Sequence, residues 1–192
     1  VRSSAASDVY KRQVAYDDPA LSFFRADVFA TCIEDYIRVA RPSVVLVGAT
    51  SLGRSLAPRL STRFHTGLTA DCTRLELREN TDLVQIRPAF GGNIMAQIVT
   101  TNTRPQFATV RYKVMDAPAR QEEAFGEVKV RPVPKSALKS AVTHVNTQPV
   151  PAGKTISDAD ILVVGGRGLQ KEADLDMIRE LSLIHISEPT RH

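Results

Sequence analysis

The chain has 192 residues, of which 43% are hydrophobic and 24% charged, with a formal net charge of +4 at pH 7. This is the composition of a soluble globular protein and excludes a disordered chain; no stretch approaches the ~20 consecutive apolar residues that a membrane helix needs. The basic residues Arg54, Arg59, Arg63, Arg74 and Arg78 are scattered without aromatic interleaving, which argues against a nucleic-acid partner.

The two ends stand apart from the rest. Asp8 to Gln13 can be encoded by GAT GTG TAT AAG AGA CAG, whose reverse complement translates to Leu-Ser-Leu-Ile-His-Ile, the sequence of Leu181 to Ile186. Folded structure does not produce such a relation. Both stretches resemble translated adapter DNA from transposon-based sequencing libraries, so residues 1–13 and 181–192 are set aside from the fold. They are expected to pack poorly, although periodicity lets Leu181 and Leu183 extend a preceding helix. Without them the net charge falls to +2, because Arg2, Lys11, Arg12 and Arg191 outnumber Asp8 and Glu188 by two. His185 and His192 also drop out as candidate ligands, and the domains between the ends need not be complete.

Within the remainder, Val28, Phe29, Cys32, Ile33, Tyr36 and Ile37 recur at helical spacing over Ala26 to Val39. Arg41-Pro42 should end this helix, since proline lacks a donor and restricts the residue before it. Val44 to Val47 reads as a strand buried on both faces of a parallel sheet, broken by Gly48-Ala49-Thr50-Ser51. A second helix carries Leu52, Leu56, Leu60 and Phe64 on one stripe, and Pro58 should kink it or delay its start. Helix, strand, small-residue turn, helix is βα grammar.

From Cys72 the pattern changes. Thr73 to Arg78, Leu83 to Arg87, Asn93 to Thr100 and Ala108 to Lys113 read as strands, partly antiparallel, with a hairpin at Gly91-Gly92. Ala117 to Lys154 is proline-rich and holds one charged strand, Gly126 to Val133, before a linker. Ala159 to Val164 then restarts the buried-strand pattern, followed by Gly165-Gly166-Arg167-Gly168 and a helix from about Lys171 to Glu180. The expected division is a first α/β domain over 14–147, a linker over 148–158 and the start of a second domain over 159–180.

The last glycine cluster is the best-placed candidate for chemistry. A strand–glycine–helix turn presents backbone N–H groups and a helix N-terminus where α/β folds bind phosphates, and Arg167 adds a planar cationic fork. The spacing matches neither common phosphate-loop pattern, so a plain βα turn with a solvated arginine remains open. Gly48 to Arg54 occupies the equivalent place earlier; there Thr50 or Ser51 as a helix cap is the simpler reading. Arg87 to Asn93 reads as a constrained hairpin more than a cofactor boundary. Cys32 and Cys72 lack C-x-x-C spacing, consistent with a reducing, cytosolic compartment. A hydrolase built on Ser51 or Cys72 lacks a base nearby in sequence, and no ligand cluster suggests a metal.

Pro42 to Thr50, Gly53-Arg54 with Leu56 to Arg59, His65 to Thr73, Arg87 to Ala96, Thr109 to Arg111 and Val163 to Leu169 together resemble, in order, the alpha subunits of electron transfer flavoproteins. The resemblance spans about residues 16–180; Tyr112-Lys113 stands where family members often have Pro-Gly, and Phe107 where methionine is common. It implies a Rossmann-like layered first domain with a partly antiparallel excursion, followed by the first βα unit of an FAD-binding α/β domain. It also implies FAD as cofactor, held in part by Gly165, Gly166, Arg167 and Gly168, with no catalytic residue and no metal. The implied partners are a beta subunit and a dehydrogenase such as an acyl-CoA dehydrogenase, in a cytoplasmic, prokaryotic electron carrier that neither binds nucleic acid nor enters a membrane. The motifs in 65–96 are similar to the branch that includes electron-bifurcating members. A non-redox nucleotide-binding regulatory module of Rossmann-like architecture is the alternative.

Overall fold

The computed structural model describes residues 12–116, 126–149, 156, 159 and 161–187. The chain divides into two compact units, residues 1–144 and 145–192.

The first unit contains helices α1 (Ala26–Ala40) and α2 (Ser51–Arg63) and strands β1 (Arg12–Tyr16), β2 (Val44–Gly48), β3 (Leu68–Cys72), β4 (Arg74–Leu77), β5 (Leu83–Ala89), β6 (Ile94–Val99), β7 (Gln106–Val110) and β8 (Glu127–Arg131). They form a parallel sheet in the order β2-β7-β3, an antiparallel sheet β4-β5-β6, and a parallel pair β1-β8. The fold is therefore mixed α/β, and its antiparallel excursion runs from Arg74 to Val99, narrower than the expected 72–113 because the last strand of that range, β7, pairs in the parallel sheet.

Period two along the central sheet sorts the core into layers. Val45 and Phe107 face the helices, where they join Ala30, Ile37, Leu56, Leu60, Phe64 and Leu68. Val44 and Ala108 face the other way, toward Cys72, Leu75 and Leu83. Helices, parallel sheet and antiparallel sheet thus stack as three layers. The other side of α1 packs Val28 and Cys32 against Ala137, with Tyr16, Leu21 and Val133 around them.

One expectation about the sheet is corrected. The Val44–Val47 run is an edge strand, with Leu46 half exposed; the strand buried on both faces is β7, whose Gln106, Phe107, Ala108 and Thr109 are all within 1% of full burial. Its polar residues pass as core because each has a partner. Gln106 Oε1 accepts from Leu83 N at 2.8 Å and its Nε2 donates to Thr81 O at 3.1 Å, which ties the two sheets together. Thr109 Oγ1 accepts from Asp71 N at 2.8 Å, where β3 bulges between Thr69 and Cys72 and would otherwise orphan that donor.

α1 ends where Arg41-Pro42 predicts, with Arg41 in the left-handed region (φ 45°, ψ 54°) and its N–H bonded to Ile37 O at 2.8 Å. α2 starts at Ser51 and carries Pro58 within it, so its start is not delayed. Phe90 (φ 47°), Gly91 (φ 72°) and Gly92 (φ 96°) turn the chain between β5 and β6 as a hairpin. β1 includes Arg12 and Gln13, expected to fall outside the fold; they pair with Glu127 and Val128. Residues 1–11 lie outside the described residues, as do 117–125, most of the proposed linker, and 188–192.

In the second unit, α3 spans Asp174–Ser187, later and longer than its expected range, continuing through Leu181 and Leu183. Ile161 to Val164 do not form the expected strand: they are unpaired and Ile161, Leu162 and Val164 are exposed. A parallel strand exists only through its neighbours' hydrogen bonds, and no described residue of this unit supplies one.

Candidate functional site

Two glycine-rich turns were marked by the sequence. The first closes on itself. Thr50 Oγ1 accepts from Gly53 N at 3.2 Å, capping α2. Gly53 packs so tightly that an added Cβ would collide with the carbonyl oxygen of Gly48. Arg54 Nε donates to Ala49 O at 3.1 Å, and its Nη2 lies 3.1 Å from Asp71 Oδ1. Ala49 N bonds Val110 O at 2.8 Å. Cap, close approach and ion pair all serve the βα connection, so this turn is structural.

The second turn is open. Gly165, Gly166, Arg167 and Gly168 are exposed, and among the described residues the turn is closed only by Leu169 N to Gly166 O at 3.1 Å. Arg167 has no ion-pair or hydrogen-bond partner among the described residues. A Cβ on Gly165 would strike the end of the Leu169 side chain, a neighbour able to move. The expected helix N-terminus is not adjacent: α3 begins at Asp174, whose Oδ2 accepts from Gln170 N at 2.9 Å and Lys171 N at 3.1 Å. Asp174 and Asp176 in the first turn already complement the positive helix end. The donor chemistry here, a guanidinium beside glycine backbone, fits one phosphate contact of a dinucleotide. It does not make a complete flavin site, because the described residues of this unit include none that is buried and hence no enclosed pocket for either ring.

Other sequence candidates resolve as packing. Cys72 is fully buried and burial pushes its thiol up, the reverse of an activated nucleophile. Cys32 is buried as well, and burial shifts it the same way. No group of His, Cys, Asp and Glu among the described residues could hold a metal. Sequence reading missed a polar junction that joins three elements: Tyr16 Oη donates to Asp35 Oδ2 at 2.9 Å and Arg131 Nη2 to the same oxygen at 3.1 Å. Burial, followed by the hydrogen bond to Asp35, raises the Tyr16 phenol. It also missed a cleft of about 390 Å³ between Arg38, Arg41, Phe64 and Arg104. Nothing in local spacing announces either, since their members are far apart in the chain.

The first unit is thus a three-layer α/β domain whose central parallel sheet carries the two helices on one face and an antiparallel sheet on the other. The electron transfer flavoprotein domain model matches residues 1–136, so the chain belongs to the electron transfer flavoprotein family, of the alpha type. It is 55% identical over 167 residues to the LctC subunit of lactate dehydrogenase (NAD(+),ferredoxin) from Acetobacterium woodii, covering 87% of this chain and 40% of that protein. It is 40% identical over 176 residues to electron transfer flavoprotein subunit alpha of Thermoanaerobacterium thermosaccharolyticum, covering 86% and 51%. Protein FixB of Azorhizobium caulinodans is 35% identical over 167 residues, covering 86% and 45%. The chain spans about half the length of the curated relatives it matches. No helix among the described residues is long and apolar enough to cross a membrane.

Proposed function

We propose that this sequence belongs to the alpha subunit of an FAD-dependent, cytoplasmic electron carrier, paired with a beta subunit and passing electrons from a dehydrogenase to a downstream acceptor. The observation that carries the reading is the family match over residues 1–136, together with a layered α/β unit in that range. When bound, the flavin supplies the redox chemistry, taking up electrons that the dehydrogenase removes from its substrate. The chain's own contribution is binding. Arg167 would meet a negatively charged phosphate with its free fork, and Gly165, Gly166 and Gly168 would let backbone N–H groups approach it. In this reading 14–147 is the first domain, 148–158 the linker and 159–180 the opening of the FAD domain.

An acyl-CoA dehydrogenase is one fitting donor. A second reading, a dehydrogenase acting on lactate or a similar 2-hydroxy acid, is favoured by one observation: identity to the Acetobacterium woodii LctC subunit is 55%, against 34–41% for the electron transfer flavoprotein alpha subunits and FixB proteins.

Titrating FAD into the 192-residue chain should give weak binding or none, since a single phosphate anchor does not offset the rigid-body entropy lost on association, about 4 kcal/mol or more. In a version extended through the whole FAD domain and co-expressed with a beta subunit, flavin should bind stoichiometrically, and Arg167→Ala should weaken it roughly tenfold. Unchanged flavin affinity in that variant would reduce Arg167 to a turn residue. A complex that takes up no flavin would point to the nucleotide-binding module instead. Anaerobic bleaching of the flavin by lactate with its dehydrogenase, or by an acyl-CoA with its own, separates the two donors.

A further inference from the structure

We propose that the cleft between the C-terminal ends of α1 and α2 and the entrances to β2 and β7 binds a small aromatic anion. Its floor is apolar: Ile37, Pro42, Phe64 and Pro105. Its rim carries three guanidinium groups, from Arg38, Arg41 and Arg104. The volume, about 390 Å³, falls within the range of small-molecule sites, which combine apolar walls with a few fixed polar groups.

The three arginines are not equivalent. Arg38 is held by Glu34, which accepts from its Nε at 2.9 Å and its Nη2 at 2.6 Å, and it lies over the Phe64 ring, 5.2 Å from the centroid. Arg104 is held by Asp82 at 2.7 Å and by the carbonyls of Thr100, Thr101 and Thr103. These two form walls fixed by carboxylates, Asp82 for Arg104 and, for Arg38, a Glu34 whose other oxygen accepts from Arg63 Nη1 at 2.8 Å. The Arg41 side chain is exposed and has no ion-pair or hydrogen-bond partner among the described residues, so its five donors face solvent and not a protein acceptor.

Arg41 also occupies an unfavourable backbone. Its φ of 45° is the left-handed helix cap where glycine is the usual residue. A plain cap would be better served by glycine; the arginine adds a cationic side chain that lines the cleft. The competing account is that Arg41 offsets the partial negative charge at the end of α1. The two accounts differ in what happens when the side chain is removed: the helix-end account requires a loss of stability, whereas the binding account allows glycine to relieve the backbone.

The test follows amide NMR signals of the whole 192-residue chain during titration with indole-3-acetate, its uncharged amide, and acetate. Saturable shifts are expected at Arg41, Phe64 and Gln106 with indole-3-acetate. The amide and acetate, each lacking one half of the recognition, should bind at least about fivefold more weakly. Arg41→Gly should weaken indole-3-acetate by at least about fivefold while its melting temperature holds or rises, and Arg41→Lys should retain part of the affinity. Shifts that do not saturate or lie elsewhere, equal affinity for the amide, or unchanged affinity in Arg41→Gly would overturn the proposal. A lower melting temperature in Arg41→Gly would overturn it too, by assigning the arginine to the helix end.

Discussion

Gln85 lies at the middle of β5 with no exposed surface, and neither atom of its side-chain amide bonds to another described residue. Leu83, two residues before it on the same face of β5, and Leu75, its partner on β4, pack in the apolar cluster of Cys72 and Ala108, so this is an amide facing a hydrocarbon layer. An unsatisfied buried polar group costs about 1–3 kcal/mol. Methionine has nearly the same length and no such requirement, so Gln85→Met should raise stability by about 1 kcal/mol, read as the urea midpoint. A decrease would mean that an ordered water bonds the amide. Gln106, equally buried one strand away, makes the opposite case, because both ends of its amide are used in linking the sheets. Two glutamines of the same sequence character therefore play different parts, and only their surroundings tell them apart.

At the scale of elements, the start of α1 is fastened by Asp27. Its Oδ1 accepts from Val28 N at 2.9 Å and its Oδ2 from Ser140 Oγ at 2.6 Å, across 113 residues of chain. The Ser140 hydrogen bond is the largest cause holding the carboxyl below its ordinary value of 3.8. Because the folded state binds this proton less tightly than the unfolded one, the contribution is present above about pH 4 and is lost as pH falls through the lowered folded value. Ser140→Ala should therefore cost about 1 kcal/mol at pH 7 and move the acid-unfolding midpoint to higher pH. An unchanged midpoint in a circular-dichroism pH titration would show that the bond adds nothing beyond solvent. The helix itself was legible from its apolar period and from Arg41-Pro42; the fastening was not, because Ser140 sits in a stretch without periodic pattern.

For the molecule as a whole, burial is uneven. The first unit has three buried clusters, whereas no described residue of 145–192 is buried. Apolar residues recur along α3, yet Leu175, Met177, Leu181, Leu183 and Ile184 remain exposed. Helical stability in proteins comes mostly from packing one face, so native-state amide exchange should be slow in β7 and fast throughout α3. Protection of α3 comparable to that of β7 would contradict this. If a longer version of the protein covers that face, exchange in α3 should slow there while that of β7 stays as it is.

The sequence by itself determined the local elements of the first unit: α1 from its 3.6-residue period, the hairpin from Gly91-Gly92, the capped turn from the hydroxyls of Thr50 and Ser51, and the family from several long motifs in order. Those signals arise within a few residues, where propensity, capping and side-chain alternation act. The tertiary structure decided what depends on distant neighbours. It made β7, with polar Gln106 and Thr109, the buried centre of the sheet and left the more apolar β2 at its edge, because strand order is settled by which strand inserts between the other two. It also left Ile161 to Val164 unpaired, because a buried-strand pattern states only that a segment can be covered; the covering must come from other strands.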